Sequence, residues 1–235
     1  MENNILLNHI LCSLGFETYM TGARLYRNHQ SHNPGWSGWE HAIIIVTIPE
    51  DKTRYVVDVG YGGHGPRCPL PLPSSELQGT SSSGYVIHNI GTQDMRLQHN
   101  DLDAQMKRHW VYQIRNSPEQ MWNDVYAFTE IEFTHKDFEV MNFLNFFTSK
   151  SPQCSLTTQL LVVKFLRSDD DKCDVVGKVV LDQAKLKEYR DGKHGLVKVC
   201  ESESERIQVL RDFFGIVVEQ EDKSFISTRS SLDTA

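Results

Sequence analysis

The stretch His41-Ala-Ile-Ile-Ile-Val-Thr-Ile-Pro-Glu-Asp-Lys-Thr-Arg-Tyr-Val-Val-Asp58-Val-Gly-Tyr-Gly-Gly63 decides how the chain reads. Residues 41–48 form one apolar, β-branched run and residues 54–59 another. The polar turn 49–52 between them predicts an antiparallel pair of strands. Two residues break the apolar pattern, His41 at the head of the first run and Asp58 inside the second. A carboxylate in a buried strand costs several kcal/mol unless it is paired. Pairing through the short turn brings these two side chains near each other. An Asp–His hydrogen bond then satisfies both and fixes the imidazole tautomer, the orienting half of a nucleophile–His–Asp triad. A histidine at a strand start and an aspartate at a strand end are also ordinary boundary residues, and on these residues alone both readings stand. Gly60, Gly62 and Gly63 permit positive φ and close backbone approach. They fit a ligand-binding loop or a plain turn, and no Walker or Rossmann spacing accompanies them.

Working outward, Ile5, Leu6, Ile10, Leu11 and Leu14 recur at helical spacing before Gly15 and predict a helix over 4–14. Residues 16–26 read as extended with a break at Gly22. Residues 27–40, with Asn33-Pro34-Gly35, read as a surface loop. Downstream, 61–84 is a long irregular connection rich in Gly, Pro and Ser. Strands are predicted at 85–90, 110–114 and 125–133, so that roughly 40–135 is an antiparallel sheet or barrel. Thr134 caps a helix with Asp137 three residues on, and Phe138, Met141, Phe143 and Leu144 give it an apolar side. Strands follow at 160–166, 175–181 and 196–199. Ser202 and Glu205 form a capping box for a last helix whose face carries Ile207, Leu210 and Phe214, ended by Gly215.

The 235 residues fit one large domain or a few small subdomains. With 39% hydrophobic and 23% charged residues the composition is that of a globular protein. A formal net charge of −7 and the lack of a basic run argue against a nucleic-acid binder. No apolar run is long enough to span a bilayer, so no membrane is expected. Five cysteines at irregular spacing, Cys12, Cys68, Cys154, Cys173 and Cys200, argue against disulfide scaffolding and against a metal site. A reducing, cytoplasmic setting is expected.

Several segments in order resemble the arylamine N-acetyltransferase family. Residues 2–26, Glu-Asn-Asn-x-Leu-Leu-x-His-x-Leu-x-x-Leu-Gly-Phe-x-x-Tyr-x-x-Gly-Ala-Arg-x-Tyr, resemble the stretch after its active-site cysteine. Trp39-Glu40-His41 resembles its histidine strand, and Asp58-Val59-Gly60-Tyr61-Gly62 its Asp-Val-Gly-Phe-Gly motif. Residues 69–72 resemble the Pro-Leu segment beyond. Asp137-Phe138-Glu139-x-Met141-Asn142 and Thr148-Ser149-x-Ser151-Pro152 resemble its downstream helix and Ser-Pro loop. Residues 205–217 resemble its last helix and strand.

The resemblance implies an α+β fold with a cysteine-protease-like arrangement: a partial N-terminal helical segment over 1–26, a central antiparallel β-barrel or sheet over 27–135, and a C-terminal α/β lid over 136–235. It implies His41 as base and Asp58 as its orienter. The reaction implied is ping-pong acetyl transfer from acetyl-CoA, a substrate, to an arylamine or hydrazine. Gly60, Gly62, Gly63, Thr148, Ser149 and Ser151 are implied to border the CoA. The residues after Pro152, Gln153-Cys154-Ser155-Leu156-Thr157, depart partly from the family's Ser-x-Phe-Thr.

The family motif Arg-Gly-Gly-x-Cys-x-Glu-x-Asn is matched only at its end, by Glu2 and Asn4. Its cysteine falls immediately before Met1, so the expectation is a chain truncated just after its nucleophile and inactive as given. A start placed at the wrong methionine is favoured over a genuine truncated paralogue. Cys12 is expected among the apolar Leu11 and Leu14, where a buried thiol is inert, and the other four have no family counterpart as nucleophile. The rival readings are a dead paralogue that still binds CoA or an arylamine, another Cys-His-Asp hydrolase, and a structural or interaction protein.

Overall fold

The computed structural model describes residues 1–27, 34–73, 85–148, 159–169, 174–190, 193–226 and 231–233, with the side chains of 144–148, 224 and 225 outside the description. The chain divides into two compact units, Met1–Asn145 and Phe146–Ala235.

The first unit opens with helix α1 (Glu2–Ser13). The strands that follow are β1 (Glu17–Arg27), β2 (Gly35–Thr47), β3 (Arg54–Val57), β4 (Leu70–Leu72), β5 (Ile87–His88), β6 (Asp94–Asn100), β7 (His109–Arg115) and β8 (Asn123–Phe128). Helix α2 (His135–Thr148) comes next and crosses the division in its last turn. The eight strands form one antiparallel sheet in the order β4-β3-β2-β1-β8-β7-β6-β5. β4 touches β6 although several strands separate them in that order, so the sheet is curled into a half-barrel. Its inner face buries Ala23, Ile43, Ile45, Val56, Tyr112, Tyr126 and Phe128 against one another. Its outer face buries Met20, Ala42, Ile44 and Val46 under α1 and α2. β2 is therefore covered on both sides, which is why its run from Ala42 to Val46 is apolar without alternation. Each fully buried isoleucine there contributes about 1.5–3 kcal/mol.

In the second unit β9 (Leu161–Arg167), β10 (Val175–Asp182), β11 (Lys185–Arg190) and β12 (Lys193–Val199) form a four-stranded antiparallel sheet. Val179, Leu181 and Leu186 pack with Val209 and Leu210 of α3 (Glu203–Phe214). The cap half of the capping box is present, the Ser202 hydroxyl accepting from Glu205 N at 3.3 Å, while the Glu205 carboxylate accepts from Glu201 N, one residue ahead of the cap, at 3.1 Å. Gly215 closes the helix at φ +70. Its buried face also carries the Glu203–Arg206 ion pair, a polar insertion that periodicity did not foretell.

Several expectations are corrected. Residues 35–40, read as loop, belong to β2, because β1 pairs with it out to Arg27↔Gly35, and Trp36 packs edge-on against Tyr26. Gly22 does not interrupt β1. A side chain there would come within 2.6 Å of the Phe133 ring, so only glycine fits beneath that ring. The irregular connection contains β4, and β6 and β11 went unrecognised because charged residues mask their alternation. The strand read over 125–133 ends at Phe128, and Phe133 makes only an isolated bridge to Met20. The apolar residues of α1 split over two faces. Ile5, Leu7 and Leu11 pack inward, whereas Leu6, Ile10 and Leu14 are exposed. β1 pairs with β2 on one side and with β8 on the other.

Candidate active site

β2 and β3 pair as Ile44↔Val57 through Thr47↔Arg54. His41 lies upstream of that ladder, and Asp58 is the first residue past β3 rather than inside it. The chain turns sharply here, and the turn carries the Asp58 carboxylate back to the imidazole. His41 Nε2 and Asp58 Oδ2 are 2.8 Å apart, and the two residues are only 6% and 4% exposed. The other carboxylate oxygen, Oδ1, accepts from Asn4 Nδ2 at 2.8 Å, from Gly60 N at 2.8 Å and from Tyr61 N at 3.2 Å. Burial pushes the Asp58 carboxyl up. Hydrogen bonding to His41, the charge of His41, and the Asn4 and Gly60 donors outweigh it and hold the carboxyl below its ordinary value. An ionised Asp58 accepts the hydrogen bond from Nε2–H, so the proton stays on Nε2 and the lone pair of the imidazole lies on Nδ1.

Asn4 marks the end of the family's cysteine motif in the sequence, and its structural role is visible only in the fold. It sits in the first turns of α1 and is fully buried. Besides Asp58, its amide donates to Ala42 O, and its carbonyl accepts from Val59 N at 2.8 Å. The available signal was a carboxamide beside Ile5 on the inward side of an apolar helix, where an unpaired polar group is costly. Met1 stands one turn earlier, its carbonyl accepting from Asn4 N at 3.0 Å, so the start of α1 lies beside the His–Asp pair.

Three tyrosines wall the pair. The His41 ring lies 5.4 Å from that of Tyr61 and 5.7 Å from that of Tyr126, and Tyr126 lies 4.8 Å from Tyr112. Burial, then the charge of Asp58, pushes the Tyr61 phenol up to about 12. The same two causes push Tyr112 and Tyr126 higher still. These phenols stay neutral and present low-dielectric walls to the imidazole.

The glycines named from the sequence lie in the loop that leaves Asp58. A side chain on Gly60 would meet Asn4 Nδ2 at 3.1 Å and His41 Cε1 at 3.6 Å, and Gly62 has φ +87. Gly65 N donates to Gly62 O, and the Tyr112 hydroxyl donates to His64 O at 3.0 Å, which ties the loop to the sheet. The Thr148 side chain, Ser149 and Ser151 lie outside the described residues, as do Cys154 and Cys173. Cys12 is exposed, because the phase of α1 turns it and Leu14 outward; its Sγ is 3.0 Å from Thr18 Oγ1. Burial pushes the Cys68 thiol up in the first unit and the Cys200 thiol up in the second. None of these three is hydrogen-bonded to His41 among the described residues. No group of side chains able to hold a metal occurs among the described residues, and no described helix is long and apolar enough to cross a membrane.

A family model described as N-acetyltransferase matches residues 1–223. An N-malonyltransferase of Gibberella moniliformis is 29% identical over 249 residues, covering 99% of this chain and 68% of that protein. The arylamine N-acetyltransferase of Escherichia coli (strain K12) is 25% identical over 224 residues, covering 95% of this chain and 68% of that one. The chain thus spans about two thirds of the length of these relatives. Among solved structures, the Mycobacterium marinum arylamine N-acetyltransferase in complex with CoA superposes with a TM-score of 0.70 at 23% identity, over 99% of this chain and 72% of that one. The likeness of fold extends over both units, and the family match begins at the first residue and runs past the last helix. The chain belongs to the arylamine N-acetyltransferase family, whose members transfer acyl groups.

Proposed function

We propose that this chain supplies the base and its orienting carboxylate for N-acyl transfer from an acyl-CoA to an amine. The observation that carries this is the buried 2.8 Å contact between His41 Nε2 and Asp58 Oδ2 beside the start of α1. In this reading a cysteine thiol immediately ahead of Met1 gives its proton to His41 Nδ1. Asp58 stabilises the imidazolium that results. The thiolate attacks the thioester carbonyl, CoA leaves as its thiolate and takes the proton from the His41 imidazolium, and the acyl group rests on the cysteine while His41 returns to its neutral form. The amine then attacks that acyl-enzyme, surrenders a proton to His41, and the amide departs with the cysteine regenerated. Acetyl-CoA is the proposed donor and an arylamine or hydrazine the proposed acceptor.

The backbone of Gly60, Gly62 and Gly63 is the proposed rest for part of the CoA, with Thr148, Ser149 and Ser151 as its further border. Gly62 supports this, since its backbone has φ +87 and open space on its side-chain side, which permits close approach. The three described cysteines are free, in keeping with the proposed cytoplasmic setting. The 235 residues as given are proposed to have negligible transferase activity; in support, none of the described cysteines Cys12, Cys68 and Cys200 is hydrogen-bonded to His41.

The test is acyl transfer to an aniline, measured for the chain as given and for the chain extended by the family's N-terminal segment through its motif cysteine. Turnover only in the extended chain, lost again on His41→Ala, is the expected result. Ordinary turnover by the chain as given overturns the inactivity, and an extended chain that binds its substrates but never transfers overturns the assignment. A second donor has a specific observation in its favour. The malonyl-transferring relative covers nearly the whole chain, so malonyl-CoA is assayed beside acetyl-CoA.

A further inference from the structure

We infer that Asn4 is a positioning residue of this site, its carboxamide turning the Asp58 carboxylate toward His41 and pinning α1 to the strand that carries His41. The inference rests on the reading of His41 and Asp58 as the working pair. A carboxamide has two N–H donors and one carbonyl acceptor. All are engaged: Nδ2 donates to Ala42 O and to Asp58 Oδ1 at 2.8 Å, and Oδ1 accepts from Val59 N at 2.8 Å. These partners lie on β2, on Asp58 itself and on the residue after it, so one side chain from α1 holds both halves of the pair.

The carboxylate has two oxygens to direct. Asn4, Gly60 N and Tyr61 N all point at Oδ1, which leaves Oδ2 for His41. Two of those donors are backbone groups of the turn and move with Asp58. Of these three Oδ1 donors Asn4 is the one that comes from another element, and it is the donor that fixes the carboxylate relative to α1. Any residue just ahead of Met1 is set by the same contact, because Met1 is one helical turn from Asn4. The absence of a side chain at Gly60 makes room for the amide. Other residues do not substitute: aspartate is isosteric but has no donor, and alanine leaves Ala42 O, Val59 N and Asp58 Oδ1 each one bond short.

The test uses the 235-residue chain and needs no turnover. Carboxyl carbon NMR follows the titration of Asp58, assigned with Asp58→Asn, and imidazole nitrogen shifts follow the tautomer of His41. In Asn4→Ala the Asp58 midpoint rises by about one pH unit, about tenfold in proton affinity, and the single tautomer becomes a mixture. In Asn4→Asp two carboxyls face each other, and the upper of their coupled steps lies above the wild-type midpoint. Thr21→Val, which removes a part-buried hydrogen bond from β1 to Thr129 O just past β8, lowers the melting temperature but leaves both signals in place. A folded Asn4→Ala with the wild-type midpoint and tautomer overturns the inference and makes Asn4 a packing residue. If Asn4→Ala does not fold, the isosteric Asn4→Asp decides, and failure of both counts against the inference, since a scaffold role then accounts for the result. The outcome is independent of the transfer assay. A shifted midpoint without transfer in the extended chain sinks the function and keeps the positioning role; transfer without a shift does the reverse.

Discussion

At the scale of single residues, the site depends on a few bonds whose loss has distinct signatures. Under the proposed function, Asp58→Asn in the extended chain keeps the shape but lets the amide stabilise the wrong imidazole tautomer. A fall in kcat of about 10³–10⁴ is expected, read in the aniline assay. The same carboxylate links stability to pH. Its folded value lies below the ordinary 3.8, so the folded state binds the proton less readily than the unfolded chain. The stabilisation from Asp58 is therefore complete above the ordinary value and is lost as pH falls from about 4 through the lower folded value. Urea midpoints of wild type and Asp58→Asn should converge over that acid range and stay apart at neutral pH. Gly60→Ala forces a methyl to within 3.1 Å of Asn4 Nδ2. The expected cost is about 1–3 kcal/mol, read as a lower denaturant midpoint.

At the scale of elements, the signals that worked were those with a local cause. The α3 N-cap and its closing glycine were legible because a hydroxyl and a positive φ each act within one turn. Ser202→Ala is expected to cost about 1 kcal/mol, measured by urea unfolding of the whole chain. The pair β2–β3 was legible from its turn, although β3 ends one residue before Asp58. What escaped was set by distant partners. β6 was hidden because Arg96, Gln98 and His99 surround the buried Met95 and Leu97. Residues 35–40 looked like loop because Ser37 and Gly38 carry no β signal, and their pairing to β1 is decided across the sheet. His41 and Asp58 themselves stood out as polar breaks in apolar runs. Asn4 did not, because its three partners come from residues 42, 58 and 59, far along the chain.

At the scale of the whole molecule, burial is uneven. Leu6, Ile10 and Leu14 line the outward side of α1 at 63%, 47% and 69% exposure, with Val59 nearby at 53%. Exposed apolar stripes of this kind promote self-association. Replacing Leu6 and Ile10 by serine is expected to change stability by less than about 0.5 kcal/mol each, while light scattering shows a larger monomer fraction than wild type. The sheet order has a further consequence, for the way the protein is made. β1 is a central strand whose neighbour β8 leaves the ribosome about a hundred residues later, as the register Ala23↔Phe128 requires. At roughly 5–20 residues per second, a nascent β1–β2 hairpin waits about 5–20 seconds for its second partner. Throughout that wait the backbone of β1 is open to strangers along one side. A chaperone that shields extended apolar strands during translation should therefore raise the yield of this protein more than one acting after release.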